Sequence, residues 1–596
     1  MRSMFVSAAA LCLLASAAFA QTVAVPGDLE ARRKALDSAI KEHWEYNLSV
    51  NPEFASILGD KRYNDRWSSN TPEAIAANLK RLAEFKTRFA AIDTAGFPEQ
   101  EALNKTLMLR DLNETLDNAH FKNWEMPVAQ NYGIHIQAPG FVQFLAFDTV
   151  KDYDDYIARL KSFPRVMDET LGLMRAGLAD QLMPPKFLLA KVADQADGIA
   201  KQKIEECPFA VPLSKFPKAV SEADQKRIRE QILGAIRDQV MPSYVKFANY
   251  VRKDYAPNGR TEPGVWSLPD GDARYAALVK SSTTTDMTPQ QIHELGLREV
   301  SRIEGDMQKV AEGLHFKDWK ALSASIEANP ELHAKSRQQI VDLYSKYIAQ
   351  MNEKLPQLFG LLPKAKCIVK PIEEFREKEA SGAEYNQGTA DGSRPGIVMV
   401  NTGDFAHRKT INIETTAYHE GVPGHHMQIS IAQELPELPQ FRAQGGNTAY
   451  IEGWALYSED LGREVGFFQD PYNLYGHYMD EMLRAIRLVV DTGFHYKHWT
   501  REQVVQFFHD HSGIDEVEVQ SETDRYIAVP SQALGYKIGQ LKIKELREHA
   551  KAELGAKFDI RGYHDQVLGA GALPLDVLSA RIDTWIAAVK AGTATK

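Results

Sequence analysis

Cysteine is scarce in this sequence, which argues against a fold held by disulfides or by a cysteine-bound metal. The chain has 596 residues and 3 cysteines, and no two of them form a C-x-x-C pair. Disulfide scaffolds and structural zinc sites use cysteine densely or in such pairs. Cys207 and Cys367 lie far apart in the sequence. They form either one disulfide or two free buried thiols, and free thiols are slightly favoured.

An excess of positive charge is also missing. The 70 Lys and Arg residues stand against 80 Asp and Glu residues, which gives a formal net charge of -10 at pH 7. Electrostatic binding of nucleic acid or anionic lipid needs the opposite balance. The composition therefore argues against nucleic acid as a partner, and its 44% apolar residues indicate an ordinary globular protein.

Long apolar runs are absent after the first twenty residues. Arg2 precedes a mainly apolar stretch from Phe5 to Ala17, and the small-residue end Ala18-Phe19-Ala20 follows it. This pattern is typical of a cleavable secretory signal. We predict a signal peptide over residues 1–20, an exported protein that is periplasmic or secreted, and no transmembrane segment in the mature chain. A lipoprotein signal at Cys12 is the weaker alternative, because Leu11 stands where such signals prefer a small residue.

Helical patterns dominate what remains. Apolar residues recur at helical spacing from Ile228 to Phe247, and Thr288-Pro289 with Gln291 combines an N-cap, an N1 proline and a capping box. Asp28 and Ser221 are further N-cap candidates. These patterns predict a mostly α-helical protein.

Strand propensity is confined to Ile368-Val369 and Gly396–Val400, on either side of a polar loop from Ser381 to Arg394. We predict a small antiparallel sheet inserted in the C-terminal half. The domain prediction is a helical N-terminal half over residues 21–285 and a C-terminal half over residues 286–596.

The segment from Tyr418 to Gln428 carries the chemistry. His419-Glu420 begins like the H-E-x-x-H motif of zinc hydrolases, in which two histidines one helical turn apart bind one metal ion. Here His425 comes six residues after His419, and a regular helix would place the two about 120° apart. Glycines and Pro423 lie between them, so we expect a looped or bulged break in the helix.

Three ligands are expected, leaving one position open for water. His419 is the first, and His425 is favoured over His426 as the second. Glu452, 27 residues after His425, is the best third candidate. Glu459 lies two turns later and is either a carboxylate that orients a histidine or a solvated charge. One Zn²⁺ ion is the expected cofactor, and such a site also accepts other divalent metals.

Several strings together resemble the bacterial family called domain of unknown function 885. They are the segment His419–His426, Glu452–Tyr457, Asp491–His495, Pro530–Tyr536 and, upstream, Asp391–Pro395. That family is similar in turn to helical zinc peptidases such as carboxypeptidase Taq, thimet-type oligopeptidases and angiotensin-converting enzyme. The resemblance implies a helical body split by a deep channel, with the metal on its floor. It also implies a short sheet along one wall, where Gly396–Val400 serves as an edge strand for an extended peptide.

The same resemblance implies catalytic roles. Zinc on His419, His425 and Glu452 would activate water, and Glu420 would take the water proton and pass it to the leaving amine. Tyr536, matching the late tyrosine of the related peptidases, is the first candidate to stabilise the oxyanion, and His495 is the second. The alternatives are a core tyrosine and a surface histidine.

Substrate contacts are predicted more loosely. Arg484 and Arg487 are three apart on one helix and either bind a C-terminal carboxylate or pair with Asp480 or Glu481, the second being favoured. The other candidates are His426, Tyr385, Arg394 and Gln532.

The sequence thus predicts an exported zinc-dependent hydrolase of short peptides, of the carboxypeptidase or oligopeptidase type. An amidase acting on a modified peptide conjugate shares the same metal mechanism and stays open. A non-catalytic periplasmic peptide-binding protein is the alternative from another class, and Glu420 argues against it because a binder does not need a proton acceptor beside the metal.

Overall fold

The computed structural model describes residues 26–372, 374, 377, 380–389 and 394–593. The predicted signal peptide and most of Asp391–Pro395 lie outside these residues. Eleven α-helices of the described part precede residue 285: α1 Pro26–Val50, α2 Pro52–Ile57, α3 Pro72–Ala90, α4 Glu99–Asn118, α5 Ile134–Phe141, α6 Val150–Lys161, α7 Phe163–Ala179, α8 Lys186–Ala200, α9 Glu222–Ala235, α10 Met241–Tyr250 and α11 Gly271–Thr283.

Fourteen more α-helices follow in the described part: α12 Pro289–Gly313, α13 Trp319–Ala328, α14 Arg337–Asn352, α15 Leu355–Leu358, α16 Ile413–Glu420, α17 His425–Glu434, α18 Gln440–Ala443, α19 Thr448–Glu464, α20 Pro471–His495, α21 Arg501–His511, α22 Glu516–Ala528, α23 Leu534–Leu554, α24 Ile560–Leu568 and α25 Leu575–Ala591. The mostly α-helical prediction is confirmed. Ser221 caps α9, and Thr288 forms the expected capping box with Gln291 at the start of α12. The Asp28 cap is wrong, because α1 has already begun at Pro26.

The sheet has three strands, β1 Cys367–Pro371, β2 Ala383–Asn386 and β3 Gly396–Val400. Its order is β1-β3-β2, with β3 parallel to β1 and antiparallel to β2. The sequence identified β1 and β3, and because these two strands are parallel, the prediction of an antiparallel sheet is wrong for this pair. Because the unforeseen strand β2 occupies the antiparallel side of β3, β3 is the central strand and has no free edge for a peptide.

Two helix pairs form the frame of the C-terminal part. Helices α19 and α23 run side by side in the same direction, and a Cβ on Gly453 would lie 2.4 Å from Cα of Gly539. Helix α12 approaches α20 where Gly296 faces Val489. Glycine at these crossings allows the backbones to pack closely. The pairs fix the positions of α19 and α20, which carry most of the polar residues described below.

One apolar cluster joins residues on both sides of position 285, among them Val265, Val279, Ile292 and Leu488. The division into halves at that position stays a prediction. Cys207 and Cys367 are free thiols, as favoured from the sequence, although Cys367 is only partly buried. None of the helices in the described residues combines the length and apolar character needed to cross a membrane.

Candidate functional site

The helix breaks between the two histidines, as predicted. Helix α16 ends at Glu420 and α17 begins at His425. In the connection, the Gly424 amide donates to the Tyr418 carbonyl at 2.9 Å. A Cβ on Gly424 would lie 1.9 Å from the carbonyl oxygen of His419, so only glycine fits there. The break brings the rings of His419 and His425 to a centroid separation of 4.8 Å.

Glu452 faces both histidines from α19. Its Oε2 atom lies 3.6 Å from Nε2 of His419 and 3.4 Å from Nε2 of His425. These distances are longer than hydrogen bonds of good geometry. They match the edges of a tetrahedron about a metal ion, since ligands at about 2.1 Å from zinc stand about 3.4 Å apart. Two neutral imidazoles and one carboxylate therefore fit a single zinc ion.

Glu420 is also close enough to take part. Ligand atoms of His419, Glu420 and His425 all lie within 4.8 Å of one another. Glu452 nevertheless suits the role of third ligand better, because one of its oxygens is shared between the two Nε2 atoms. Glu420 is half-buried, and its carboxylate has no hydrogen-bond partner among the described residues, which leaves it available to accept a proton.

Glu459 holds His419 from behind. Nδ1 of His419 donates to Oε1 of Glu459 at 2.8 Å, and the hydroxyl of Thr415 donates to Oε2 at 3.0 Å. Glu459 is 2% exposed, so the alternative of a solvated charge is wrong. With its proton on Nδ1, neutral His419 directs the lone pair of Nε2 toward Glu452. A carboxylate behind a ligating histidine is the usual support of a metal site.

The charges around His419 and Glu452 favour a cation bound between them. Burial opposes a charged His419, but the carboxylates of Glu452 and Glu459 outweigh it and raise the pKa to about 10. Burial would also raise the pKa of Glu452, yet the two histidines hold it well below its usual range. Either a proton or a metal ion can supply this charge. In contrast to His419, Nδ1 of His425 is buried without a hydrogen-bond partner in the described part of the chain.

Sequence reasoning missed the polar layer beneath Glu459. Nδ1 of His477 lies 3.6 Å from Glu459, and its Nε2 lies 3.3 Å from Asp460. Burial opposes the charge on His477, but Asp460 and Glu459 raise its pKa to about 9. Thr415 also belongs to this layer, and its position four residues before His419, on the same face of α16, is a local signal that could have identified it.

Tyr536 lies near the start of α23, where this helix packs against the first turn of α19. Its neighbour Gly535 packs against Thr448, which is one turn before Glu452 in the parallel helix α19. The guanidinium of Arg487 covers the ring of Tyr536 at 4.6 Å, and Arg525 lies 3.5 Å from the hydroxyl. The structure thus brings Tyr536 toward the arginines as well as toward the helix that carries Glu452.

The two arginines of α20 pair with carboxylates on different helices. Arg484 lies 3.7 Å from Asp480, as in the favoured structural alternative. Arg487 binds Glu522 at 2.8 Å instead of Glu481. Nε of Arg484 and Nη1 of Arg487 are buried and have no acceptor among the described residues.

The remaining predicted residues bind neighbours within the protein. The hydroxyl of Tyr385 donates to Nδ1 of His426 at 3.0 Å, and Nε2 of His426 donates to the Ala365 carbonyl, so these two side chains are hydrogen-bonded to each other. Their predicted substrate contacts stay a prediction. Gln532 accepts from Arg525 at 2.9 Å. Arg394 is exposed just before β3.

His495 does not join the site. Its Nδ1 atom accepts from the amide of Val265 at 3.1 Å, and its Nε2–H donates to the carbonyl of Tyr526 at 3.0 Å. It is fully buried, which lowers its pKa to about 3. With both nitrogens bound to backbone groups, His495 has no N–H for an oxyanion, and we withdraw its predicted catalytic role.

Comparison with known proteins places the chain by family. A family model described as "Bacterial protein of unknown function (DUF885)" matches residues 52–582. No curated protein matches the chain. A crystal structure of a protein titled "putative lipoprotein" from Colwellia psychrerythraea has a TM-score of 0.89 at 29% identity, covering 93% of this chain and 99% of that chain.

A second solved structure, titled a "putative lipoprotein of unknown function" from Shewanella oneidensis, has a TM-score of 0.71 at 18% identity and covers 92% of this chain and 99% of its own. This likeness concerns the fold alone. The similarity to helical zinc peptidases stays a prediction that these comparisons do not test. Because the family model spans most of the sequence, the chain belongs to the bacterial family of unknown function DUF885.

Proposed function

We propose that this protein is an exported metal-dependent hydrolase that cleaves peptide bonds of short peptides. The observation that carries the proposal is the shared oxygen of Glu452, which lies 3.6 and 3.4 Å from the two histidine Nε2 atoms. The support of His419 by Glu459 strengthens it, because a solvent-facing ion pair would not need a buried carboxylate behind the ring. His419, His425 and Glu452 would hold one zinc ion.

When bound, zinc supplies a Lewis acid that polarises the scissile carbonyl and lowers the pKa of a water ligand. Glu420 lies beside the histidines with no competing partner, so its carboxylate accepts the proton of the attacking water and delivers it to the leaving amine. The hydroxyl of Tyr536 donates to the negative charge that develops on the carbonyl oxygen. Glu459 keeps His419 in one tautomer and one orientation throughout.

A glutamine substitution at Glu420 tests the proposal. Glu420→Gln keeps the size of the side chain and removes its basicity, so we expect bound zinc with turnover of a peptide library reduced at least 100-fold. Glu437→Gln, an exposed glutamate after α17, is the matched control and should keep full turnover. Metal content is measured by mass spectrometry on the same samples.

Three outcomes would contradict the proposal. Full turnover by Glu420→Gln would remove the proton-transfer role. Bound zinc in the unaltered protein with no turnover of any peptide would favour the peptide-binding alternative. Cleavage of acylated or conjugated amides without cleavage of plain peptides would instead indicate the amidase.

Export is part of the same proposal. The apolar run up to Ala20 supports it, and the solved relative at 29% identity is titled a "putative lipoprotein", a class of exported proteins. The N-terminal residue of protein recovered from the periplasm tests the mode of export. Gln21 is expected after signal-peptide cleavage, whereas a lipid-modified Cys12 would establish the lipoprotein alternative.

A further inference from the structure

A large cavity lies away from the histidines, in the N-terminal part of the chain. Its volume is about 1070 Å³, and it lies between helices α1 to α3 on one side and α5 and α7 on the other. Cavities that hold drug-sized organic molecules span roughly 300–1,000 Å³. The space therefore accommodates a whole small molecule or several residues of a peptide.

The cavity is lined by large apolar side chains. Trp67 and Phe141 form part of its wall, with ring centroids 5.7 Å apart. Ile57 and Phe144 also line it, although they are 43% and 47% exposed. Exposed aliphatic and aromatic side chains gathered at one cavity mark a ligand site more often than an ordinary surface.

The charged groups of the cavity already have hydrogen-bond partners. Glu53 and Arg66 are the charged residues of its described lining. Glu53 accepts from the backbone amide of Ser68 at 3.0 Å and from the Ser68 hydroxyl, and Arg66 binds Asp65 at 2.7 Å. An ionic group entering the cavity would compete with these partners and would lose its hydration, so an uncharged group is favoured.

Uncharged polar groups remain to orient a ligand. The side-chain amides of Gln137 and Gln143 line the cavity and have no hydrogen-bond partner in the described part of the protein. A ligand pocket combines mainly apolar walls with a few such polar groups. The lining therefore fits an aromatic or aliphatic group that carries uncharged hydrogen-bonding atoms.

Two smaller cavities share lining residues between the large cavity and α19, the helix that carries Glu452. It shares Tyr46 and Asn78 with an adjoining cavity of about 310 Å³, which shares Asp111 and Phe441 with a third of about 300 Å³. The third cavity ends at Asn447 and Thr448, the start of α19 and one turn before Glu452. The shared lining residues thus link the large cavity, step by step, to the start of the helix that carries Glu452.

We propose that the large cavity is a binding site for an uncharged, predominantly apolar or aromatic group. Two sources supply that chemistry. One is the distal end of an extended substrate, a source that rests on the proposed hydrolase function. The other is a separate small molecule, which needs no hydrolysis.

Binding of N-phenyl-1-naphthylamine, an uncharged aromatic dye whose fluorescence rises in apolar surroundings, tests the site. We expect saturable binding of one dye per chain by the purified mature protein. A Cβ on Gly140, which lines the cavity, would have no other heavy atom within 4 Å, so Gly140→Phe adds an aromatic ring at the cavity wall and should weaken binding at least tenfold. Gly305→Phe, at an exposed glycine of α12 with equal space, is the matched control and should bind as before.

Phe144 is exposed, so a substitution there provides a second variant that should not destabilise the protein. Phe144→Ser should weaken dye binding severalfold with an unchanged melting temperature. Absence of saturable binding, or equal binding by Gly140→Phe and the unaltered protein, would overturn the proposal. Neither result would touch the hydrolase proposal, because no residue of the histidine site is involved.

Displacement of the dye from the Glu420→Gln variant distinguishes the two possible sources of the bound group. Displacement by peptides that carry an N-terminal aromatic acyl group, increasing with peptide length, identifies the cavity as part of the substrate site. Displacement by uncharged aromatic molecules alone identifies a separate ligand. Both results support the cavity as a binding site.

Discussion

His419 and Glu459 form a buried pair in which the imidazole donates to the carboxylate at 2.8 Å. The pair joins α16 to α19 and leaves the other ring nitrogen directed at Glu452. Nδ1 of His419 is therefore used in a bond within the protein, while Nε2 stays available for a metal ion.

Removal of the charge on Glu459 should weaken metal binding. Glu459→Gln keeps an acceptor for His419 but makes Nε2 a poorer donor to the metal, so we expect zinc affinity to fall about 10–100-fold. Competition with a chromophoric chelator measures this. Glu464→Gln, on the same helix but paired with Arg547 at the surface, should leave the affinity unchanged. Equal affinities for both variants would exclude a supporting role for Glu459.

Gly424 should tolerate no side chain. In Gly424→Ala the new methyl group would lie 1.9 Å from the His419 carbonyl, so the turn must shift and the free energy of unfolding should fall by about 1–3 kcal/mol. Denaturant unfolding measures this, and metal content should fall in the same variant.

Gly198→Ala is the matched control for that change. Its Cβ meets open space within α8, so alanine should raise the free energy of unfolding by about 0.5–1 kcal/mol. A Gly424→Ala protein with unaltered stability and metal content would show that the break between the histidines does not depend on glycine.

Tyr536 should act on the reaction and not on metal binding. Tyr536→Phe removes one hydroxyl, and loss of one donor to a developing oxyanion lowers kcat by about 10²–10³. Zinc content should stay the same. Tyr496→Phe, an exposed tyrosine after α20, serves as the control. A kcat within twofold of the unaltered enzyme would assign Tyr536 to packing against Arg487.

Arg484 tests the choice between carboxypeptidase and oligopeptidase. If its unpartnered Nε–H binds the substrate carboxylate, Arg484→Gln should raise KM for peptides with a free C-terminus by about tenfold and leave amidated peptides unaffected. Steady-state kinetics on matched peptide pairs measure this. An equal effect on both members of each pair would assign Arg484 to support of Asp480.

Asp491 should make stability depend on pH. Burial raises the pKa of this carboxyl to about 7, from an ordinary value near 3.8, although the hydrogen bonds from Tyr275 and Ser531 act in the opposite direction. The folded protein therefore holds this proton more tightly than the unfolded chain, so stability falls as the pH rises from about 4 to about 7. Asp491→Asn should remove this part of the loss, so its effect on the melting temperature should be more favourable at pH 7.5 than at pH 4.5. Equal effects at both pH values would contradict the shifted pKa.

Local patterns predicted the helical class and the break between the histidines. The spacing from His419 to His425 and the intervening glycines and proline determine that no regular helix connects them, and the structure agrees. The cap at Thr288 was equally local, because its partner Gln291 is three residues away.

Pairing between distant segments could not be predicted in this way. Strand β2 is four residues long and half polar, so its sequence does not distinguish it from a loop, and only its packing on β3 makes it a strand. Tyr385 and His426 are 41 residues apart in the sequence and form a hydrogen bond with each other, a pairing that local patterns do not reveal. His495 likewise gave no sign of its bonds to Val265 and Tyr526.

The sequence by itself determined the residue types of the candidate metal ligands, the helix break that separates the two histidines and the mostly helical body. Each of these depends on residues a few positions apart. Only the tertiary structure decided that Glu459 supports His419, that β3 is central and that a large apolar cavity lies between α1 and α5. These features depend on which buried polar and apolar groups meet after the helices pack, and a carboxylate 40 positions from its histidine finds it only then.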